Sequence, residues 1–124
     1  MVRFMLKTPI MLDITLPASS GINAGDFKDH ILPLANNVIW LNLSSNNFTD
    51  TDLSFLSSFT NLEKLRLENN PLTDQISNSL ATLKHLESVN LNRTKVTDAA
   101  ILNLKKNTAI KRIYTLETAA TEGN

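Results

Sequence analysis

Asn61-Leu-Glu-Lys-Leu-Arg-Leu-Glu-Asn-Asn-Pro-Leu-Thr-Asp74 decides how this chain is built. Its spacing is L-x-x-L-x-L-x-x-N-x-L, carried by Leu62, Leu65, Leu67, Asn70 and Leu72. Leu65 and Leu67 stand two apart, the period that puts strand side chains on one face, and the asparagine marks the turn that follows. Twenty-four residues back, Val38, Leu41, Leu43, Asn46 and Phe48 fill the same slots. Twenty-four forward, Leu86, Val89, Leu91, Thr94 and Val96 fill them again, and a further step gives Ile110, Ile113, Thr115, Thr118 and Ala120. A recurrence at one fixed period describes a chain of stacked units, none of which buries its apolar face alone.

Each unit has three parts. The strand L-x-x-L-x-L directs its leucines inward and the residues between them outward. In the turn, a buried asparagine amide donates and accepts at once and so satisfies backbone groups of its own turn and of its neighbour's. Asn46 and Asn70 hold that slot, and Thr94 and Thr118 replace them with a shorter hydroxyl, which predicts a ladder that is strong early and weaker late. The third part is a short helix. Thr49-Asp50, Thr73-Asp74 and Thr97-Asp98 recur in phase, and Thr and Asp suit helix N-termini, so they read as caps. Behind them Leu56, Leu80 and Leu104 are in phase, with Phe59 and Leu83 a few residues on and Leu53 and Ile101 a turn earlier. The first unit is degenerate: Met11, Ile14, Leu16 and Ile22 carry it, Pro17 to Gly21 make a loose turn, and Asp26 is expected to cap a helix bearing Phe27, Ile31 and Leu32 before Pro33. Val2, Phe4 and Leu6 alternate ahead of Pro9 as an N-terminal cap would.

This rhythm resembles the leucine-rich repeats of bacterial proteins in which Val-Thr-Asp-Ala-Gly-Leu-like turns recur. Lys95-Val-Thr-Asp-Ala-Ala-Ile101 is the nearest phrase, with Ala100 where glycine often stands; Val38-Ile-Trp-Leu-Asn-Leu-Ser44 looks like an opening strand and the stretch from Asn107 to Thr121 like a closing repeat. The resemblance spans residues 10 to 121. It implies an α/β leucine-rich repeat, a right-handed solenoid forming a horseshoe fragment, with a parallel sheet on the concave face and short helices on the convex face. The expected partition is one domain over 1–124: an N-terminal cap at 1–10, a degenerate first repeat at 11–37, regular repeats at 38–61, 62–85 and 86–109, and a truncated last repeat at 110–124. Proteins of this appearance are often the C-terminal part of large membrane-attached c-type cytochrome proteins. The resemblance therefore implies a periplasmic or otherwise extracytoplasmic setting and a haem domain upstream; without it, a cytoplasmic adaptor is the expectation. Residues 72–83 are also similar to the plant type of repeat, from which Asp74 and Ser77 depart, standing where Gly and Pro would.

Composition narrows the function classes. Lys plus Arg is 12 and Asp plus Glu is 12, so no net field draws the chain to nucleic acid or to an anionic membrane. Seven basic residues between Lys84 and Arg112 face only Glu87 and Asp98, but on a repeat they project in several directions. With no cysteine there is no disulfide framework, thiolate metal site or cysteine nucleophile, and C-x-x-C-H haem attachment is absent from this stretch. No apolar run reaches the ~20 residues of a membrane span, and Lys7 and Pro9 make residues 1–9 a poor signal peptide. His30 and His85 have no second ligand at metal spacing, and no nucleophile elbow, phosphate-binding glycine loop or paired carboxylates appear. No cofactor, metal or catalytic residue is therefore expected. The formal acceptors at Asn42, Asn47 and Asn92 carry no information for a bacterial chain.

What remains is a surface. Alternation places Asp13 and Thr15; Trp40, Asn42 and Ser44; Lys64, Arg66 and Glu68; Ser88, Asn90 and Asn92; and Arg112, Tyr114 and Leu116 on the outward face of the sheet. Stacking makes the columns Trp40–Lys64–Ser88–Arg112 and Asn42–Arg66–Asn90–Tyr114. Aromatic and arginine side chains are the usual anchors of protein interfaces, which selects Trp40, Asn42, Lys64, Arg66, Glu68, Asn90, Arg112 and Tyr114 as candidate binding residues. The bland alternative has Lys64 and Arg66 pairing with Glu68, and Trp40 packing over the N-terminal cap. The function expected is a non-catalytic protein–protein interaction module with an unidentified protein partner and an open oligomeric state. The alternative is a glycan-binding surface using Trp40 and Tyr114.

Overall fold

The computed structural model describes residues 10–121. Five strands, β1 (Leu12–Thr15), β2 (Val38–Asn42), β3 (Lys64–Arg66), β4 (Ser88–Asn90) and β5 (Arg112–Tyr114), form a single sheet in the order β1-β2-β3-β4-β5, every pairing parallel. From β2 to β5 the register is uniform, with Leu41 beside Leu65, Leu65 beside Val89 and Val89 beside Ile113. Equal repeat lengths leave no offset between neighbouring strands. The longer first unit breaks this, and the register shifts between Leu12 and Asp13. Parallel strands need a crossover between them, and here each is helical and short. They are α1 (Ala24–Ile31) with a 3-10 segment at Leu32–Asn37, a 3-10 segment at Ser54–Ser58, α2 (Ile76–Leu80) and α3 (Asp98–Lys105). The helical segments contact one another in chain order, making a second layer beside the sheet. The architecture is an α/β repeat fold.

The core lies between the two layers. Leu62, Leu65, Leu67 and Leu72 are buried with their counterparts from the flanking repeats, and Leu53, Leu56, Ile76, Leu80, Leu83, Ile101 and Leu104 close it from the helical side. At the N-terminal end Phe27, Phe48, Phe55 and Phe59 form a chain of ring contacts, with centroids 5.8–6.3 Å apart. Within the first unit Leu16, Phe27 and Ile31 are buried and Leu32 partly so. Met11 (49% exposed) and Ile22 (44%) instead turn outward, against the expectation that they complete an inward layer. The strand starts at Leu12, so Met11 falls outside its pleat, and Ile22 sits in the irregular turn before α1. The capping role expected of residues 1–10 lies, but for Ile10, outside the described residues.

The asparagine ladder follows the predicted gradient. Asn70 is buried, its Oδ1 accepting from the Asn46 and Phe48 N–H groups (3.1 and 3.0 Å) and its Nδ2 donating to the carbonyls of Leu43 and Leu67. Asn46 accepts in the same way from the Ser20 N–H and hydroxyl. Thr94 and Thr118 donate only within their own turns, to Leu91 and Thr115 at 2.7 Å. Directly before that slot, Ser45, Asn69, Arg93 and Glu117 each hold φ between 55° and 58°. The left-handed conformation lets Ser45, Asn69 and Arg93 aim their N–H groups at carbonyls of the next repeat, those of Glu68, Asn92 and Leu116.

The Thr-Asp pairs divide the capping role expected of them: the Thr49, Thr73 and Thr97 hydroxyls each accept a backbone N–H of the turn that follows, from Asp52, Gln75 and Ala99, and the aspartates do not cap. Thr97 is thereby the cap of α3. The carboxylates reach across to the next repeat: Asp50 accepts from the Thr73 N–H and hydroxyl, Asp74 from those of Thr97, and Asp98 from those of Thr121. They are staples between layers. In the first unit the cap of α1 is Asn23, whose side chain accepts from the Gly25 and Asp26 N–H groups, and Asp26 lies in the first turn.

Candidate functional site

Alternation along five short parallel strands leaves one face of the sheet uncovered. The register continues across β1, pairing Asp13 with Trp40 and Thr15 with Asn42. Two columns of side chains therefore cross the face: Asp13–Trp40–Lys64–Ser88–Arg112 and Thr15–Asn42–Arg66–Asn90–Tyr114. A shallow groove of about 340 Å³ runs over them, lined by Asp13, Thr15, Trp40, Asn42, Lys64, Arg66, Ser88, Asn90 and Tyr114. Six of the eight residues singled out from the sequence line this groove. Arg112 lies in the first column outside the lining, and Glu68 follows β3 beside it. Asp13, Thr15 and Ser88, assigned to the face but not selected, and Leu41 of the buried layer complete the lining. Small or acidic side chains carry no anchor signature, and only their position under the aromatics reveals them.

The charges on this face are unequally committed. Arg66 makes a two-pronged pair with Glu68, its Nη2 2.6 Å from Oε2 and its Nε 3.1 Å from the same oxygen. The hydrogen bond to Glu68, and then the charge of Glu68, raise the Arg66 pKa above its ordinary value, and burial opposes them weakly. The Arg66 side chain is 57% exposed and that of Glu68 14%, so the pair is anchored at the carboxylate and screened at the guanidinium. Lys64 takes another course. Its Nζ stands 4.5 Å from the centroid of the Trp40 ring, a cation–π contact within the column. The indole itself is 41% exposed. Trp40 thus packs against its neighbour in the column. Tyr114, also 41% exposed, stands on the far side of the groove.

Between these walls the floor is polar. The Asn42 and Asn90 Oδ1 atoms accept from the backbone N–H groups of Ser44 and Asn92 at 3.0 and 2.9 Å. That fixes the amides, because the oxygen must face the turn and the NH₂ is left to the groove. Ser88 and Asn90 are half-buried. Of the histidines, His30 places Nδ1 2.7 Å from the Asp26 carbonyl on α1, and His85 is exposed ahead of β4. Among the described residues no group of three or more His, Cys, Asp or Glu is placed to hold a metal ion. No helix among them is long and apolar enough to cross a membrane.

The family model described as Leucine Rich Repeat matches residues 37–59 and 61–83, the two units that carry β2 and β3. Residues 37–83 thus carry leucine-rich repeats. Comparison with curated proteins finds no match.

Proposed function

We propose that this leucine-rich repeat protein is a non-catalytic interaction module whose protein partner lies across the exposed face of the sheet. The observation that carries the reading is the uniform register. It brings side chains from five separate strands into two columns over one groove, anchored by Trp40 at one side and Tyr114 at the other. Such a face offers shape, hydrogen bonds and aromatic area. In this reading Trp40, Asn42, Lys64, Arg66, Glu68, Asn90, Arg112 and Tyr114 are the contact residues. The units at 38–61, 62–85 and 86–109 coil as a right-handed solenoid with the sheet on its concave side.

Because the chain has no cysteine, a single one introduced for photo-crosslinking is unique. With a benzophenone attached at Ser88→Cys, on the groove floor, source-cell extract yields a defined crosslinked protein; at Ser58→Cys, exposed on the helical side, it does not. Equal crosslinking from both positions, or crosslinking from Ser58→Cys alone, refutes the assignment of the face.

The c-type cytochrome context is the narrower form of this proposal, and the phrase Lys95–Ile101 is what supports it. Reading the coding sequence upstream of Met1 tests it: membrane spans and a C-x-x-C-H motif are expected, and a stop codon just ahead of Met1 removes it. Glycan binding is the second reading, favoured by the exposed Trp40 and Tyr114 on a polar floor. Lys64 over the indole competes for the ring face that a sugar would stack on.

A further inference from the structure

The cations and the carboxylate of the groove stand at opposite ends. At the β3–β5 end the groove presents the Lys64 ammonium, the Asn90 amide NH₂ and the Ser88 and Tyr114 hydroxyls, with the Arg112 guanidinium next in the same column. Neither Lys64 nor Arg112 has an ion-pair partner among the described residues, and the Glu68 carboxylate is held by Arg66. The opposite end of the first column carries Asp13. The face is therefore polarised along the column, negative at β1 and positive from β3 to β5.

We infer that the partner is an extended acidic peptide segment lying across the strands, with carboxylates between Lys64 and Arg112 over Ser88 and Asn90. This rests on the interaction reading above. Complementarity of charge selects acids over neutral or basic side chains, since a ligand carboxylate placed here meets two cations and a ligand ammonium would be repelled by them. Spacing sharpens the class. Lys64 and Arg112 are two strands apart, about 9.6 Å. A polyproline-II segment repeats its side-chain direction every three residues, about 9.3 Å. Acids at positions i and i+3 of such a segment each meet one cation, and a basic side chain toward the other end meets Asp13.

The test uses the full 124-residue chain in a selection from displayed random dodecapeptides at low salt, followed by sequencing. Enriched peptides are expected to carry Asp or Glu at i and i+3. Synthetic copies should shift the fluorescence of Trp40, the single tryptophan, and their Glu→Gln counterparts should bind at least roughly tenfold more weakly. Against Lys64→Gln/Arg112→Gln, two exposed substitutions, affinity should fall by roughly the same factor and its salt dependence should flatten. Enriched peptides without excess acid, or equal binding to the double variant, overturn the acidic-partner inference and leave the interaction reading standing. A sulfated disaccharide that shifts Trp40 while no peptide is enriched assigns the face to glycans and overturns it too. No response to any of these probes overturns the acidic-peptide inference, and the interaction reading then falls only if crosslinking from Ser88→Cys fails as well.

Discussion

Asn70 makes five hydrogen bonds from a site with almost no solvent access, and Asn70→Ala removes them together. Two of the groups it abandons are the N–H groups of Asn46 and Phe48, which have no second acceptor within the turn. An unpaired buried backbone group costs about 1–3 kcal/mol; the Phe48 N–H is buried and the Asn46 N–H only partly so, which predicts a loss of about 1–4 kcal/mol. The Leu43 and Leu67 carbonyls, left facing a small void, push the value upward. Because the bonds span two repeats, the loss should appear as weaker coupling between repeats as well as lower stability. Urea unfolding followed by Trp40 fluorescence, which reports β2, and by circular dichroism, which reports every repeat, measures both. Asn70→Thr is the informative companion, since threonine fills the equivalent slot at Thr94 and bonds only inside its own turn. It should keep the bond to Leu67, lose both cross-repeat acceptances and lie between Ala and the parent. The reverse change, Thr94→Asn, should stabilise by about 1 kcal/mol by restoring an acceptor across the repeat boundary. Losses below about 1 kcal/mol for both Asn70 variants refute the claim that this amide joins neighbouring repeats.

Three further outcomes are expected. Arg93 holds φ 55°, a left-handed conformation that costs most side chains about 1–2 kcal/mol and that asparagine, whose short amide bonds locally, tolerates better, while the Arg93 pair with Glu117 is exposed on both sides; Arg93→Asn should therefore raise the midpoint of thermal unfolding, and a lowered midpoint contradicts it. Asp74→Ala removes both acceptors used by Thr97, so a loss of about 1–2 kcal/mol is expected in denaturant titration, with Asp74→Asn losing less. A cap confined to its own helix would respond to Thr97→Ala and not to Asp74→Ala. Leu67→Asp places a charge without a partner in a fully buried site and should abolish cooperative unfolding, whereas Leu67→Ala should retain the fold at a cost of about 2–5 kcal/mol; a parent-like melt for Leu67→Asp contradicts the layered core.

The spacing of apolar residues by itself determined that Leu62, Leu65, Leu67 and Leu72, with their counterparts, face one core. From that follow parallel strands in uniform register and the membership of the two columns on the sheet face. The reason is that a strand has only two faces and repeats of equal length leave no choice of register. The asparagine gradient was legible too, because an amide has the two-sided chemistry to bridge turns and a hydroxyl does not. Partner choice among polar groups was another matter. Local sequence offers Asp50 and Asp74 the helix that follows them, and stacking offers each a threonine N–H and hydroxyl in the next repeat; both donors of one residue prevail. Likewise Arg66 takes the Glu68 carboxylate two residues on, and Lys64 leans across to the indole of β2. Those decisions rest on distances between neighbouring layers, about 4.8 Å, which linear order does not carry. They are also what leaves Lys64 and Arg112, among the described residues, without ion-pair partners. The tertiary structure, by settling which charges neutralise one another, settles the chemistry this surface offers.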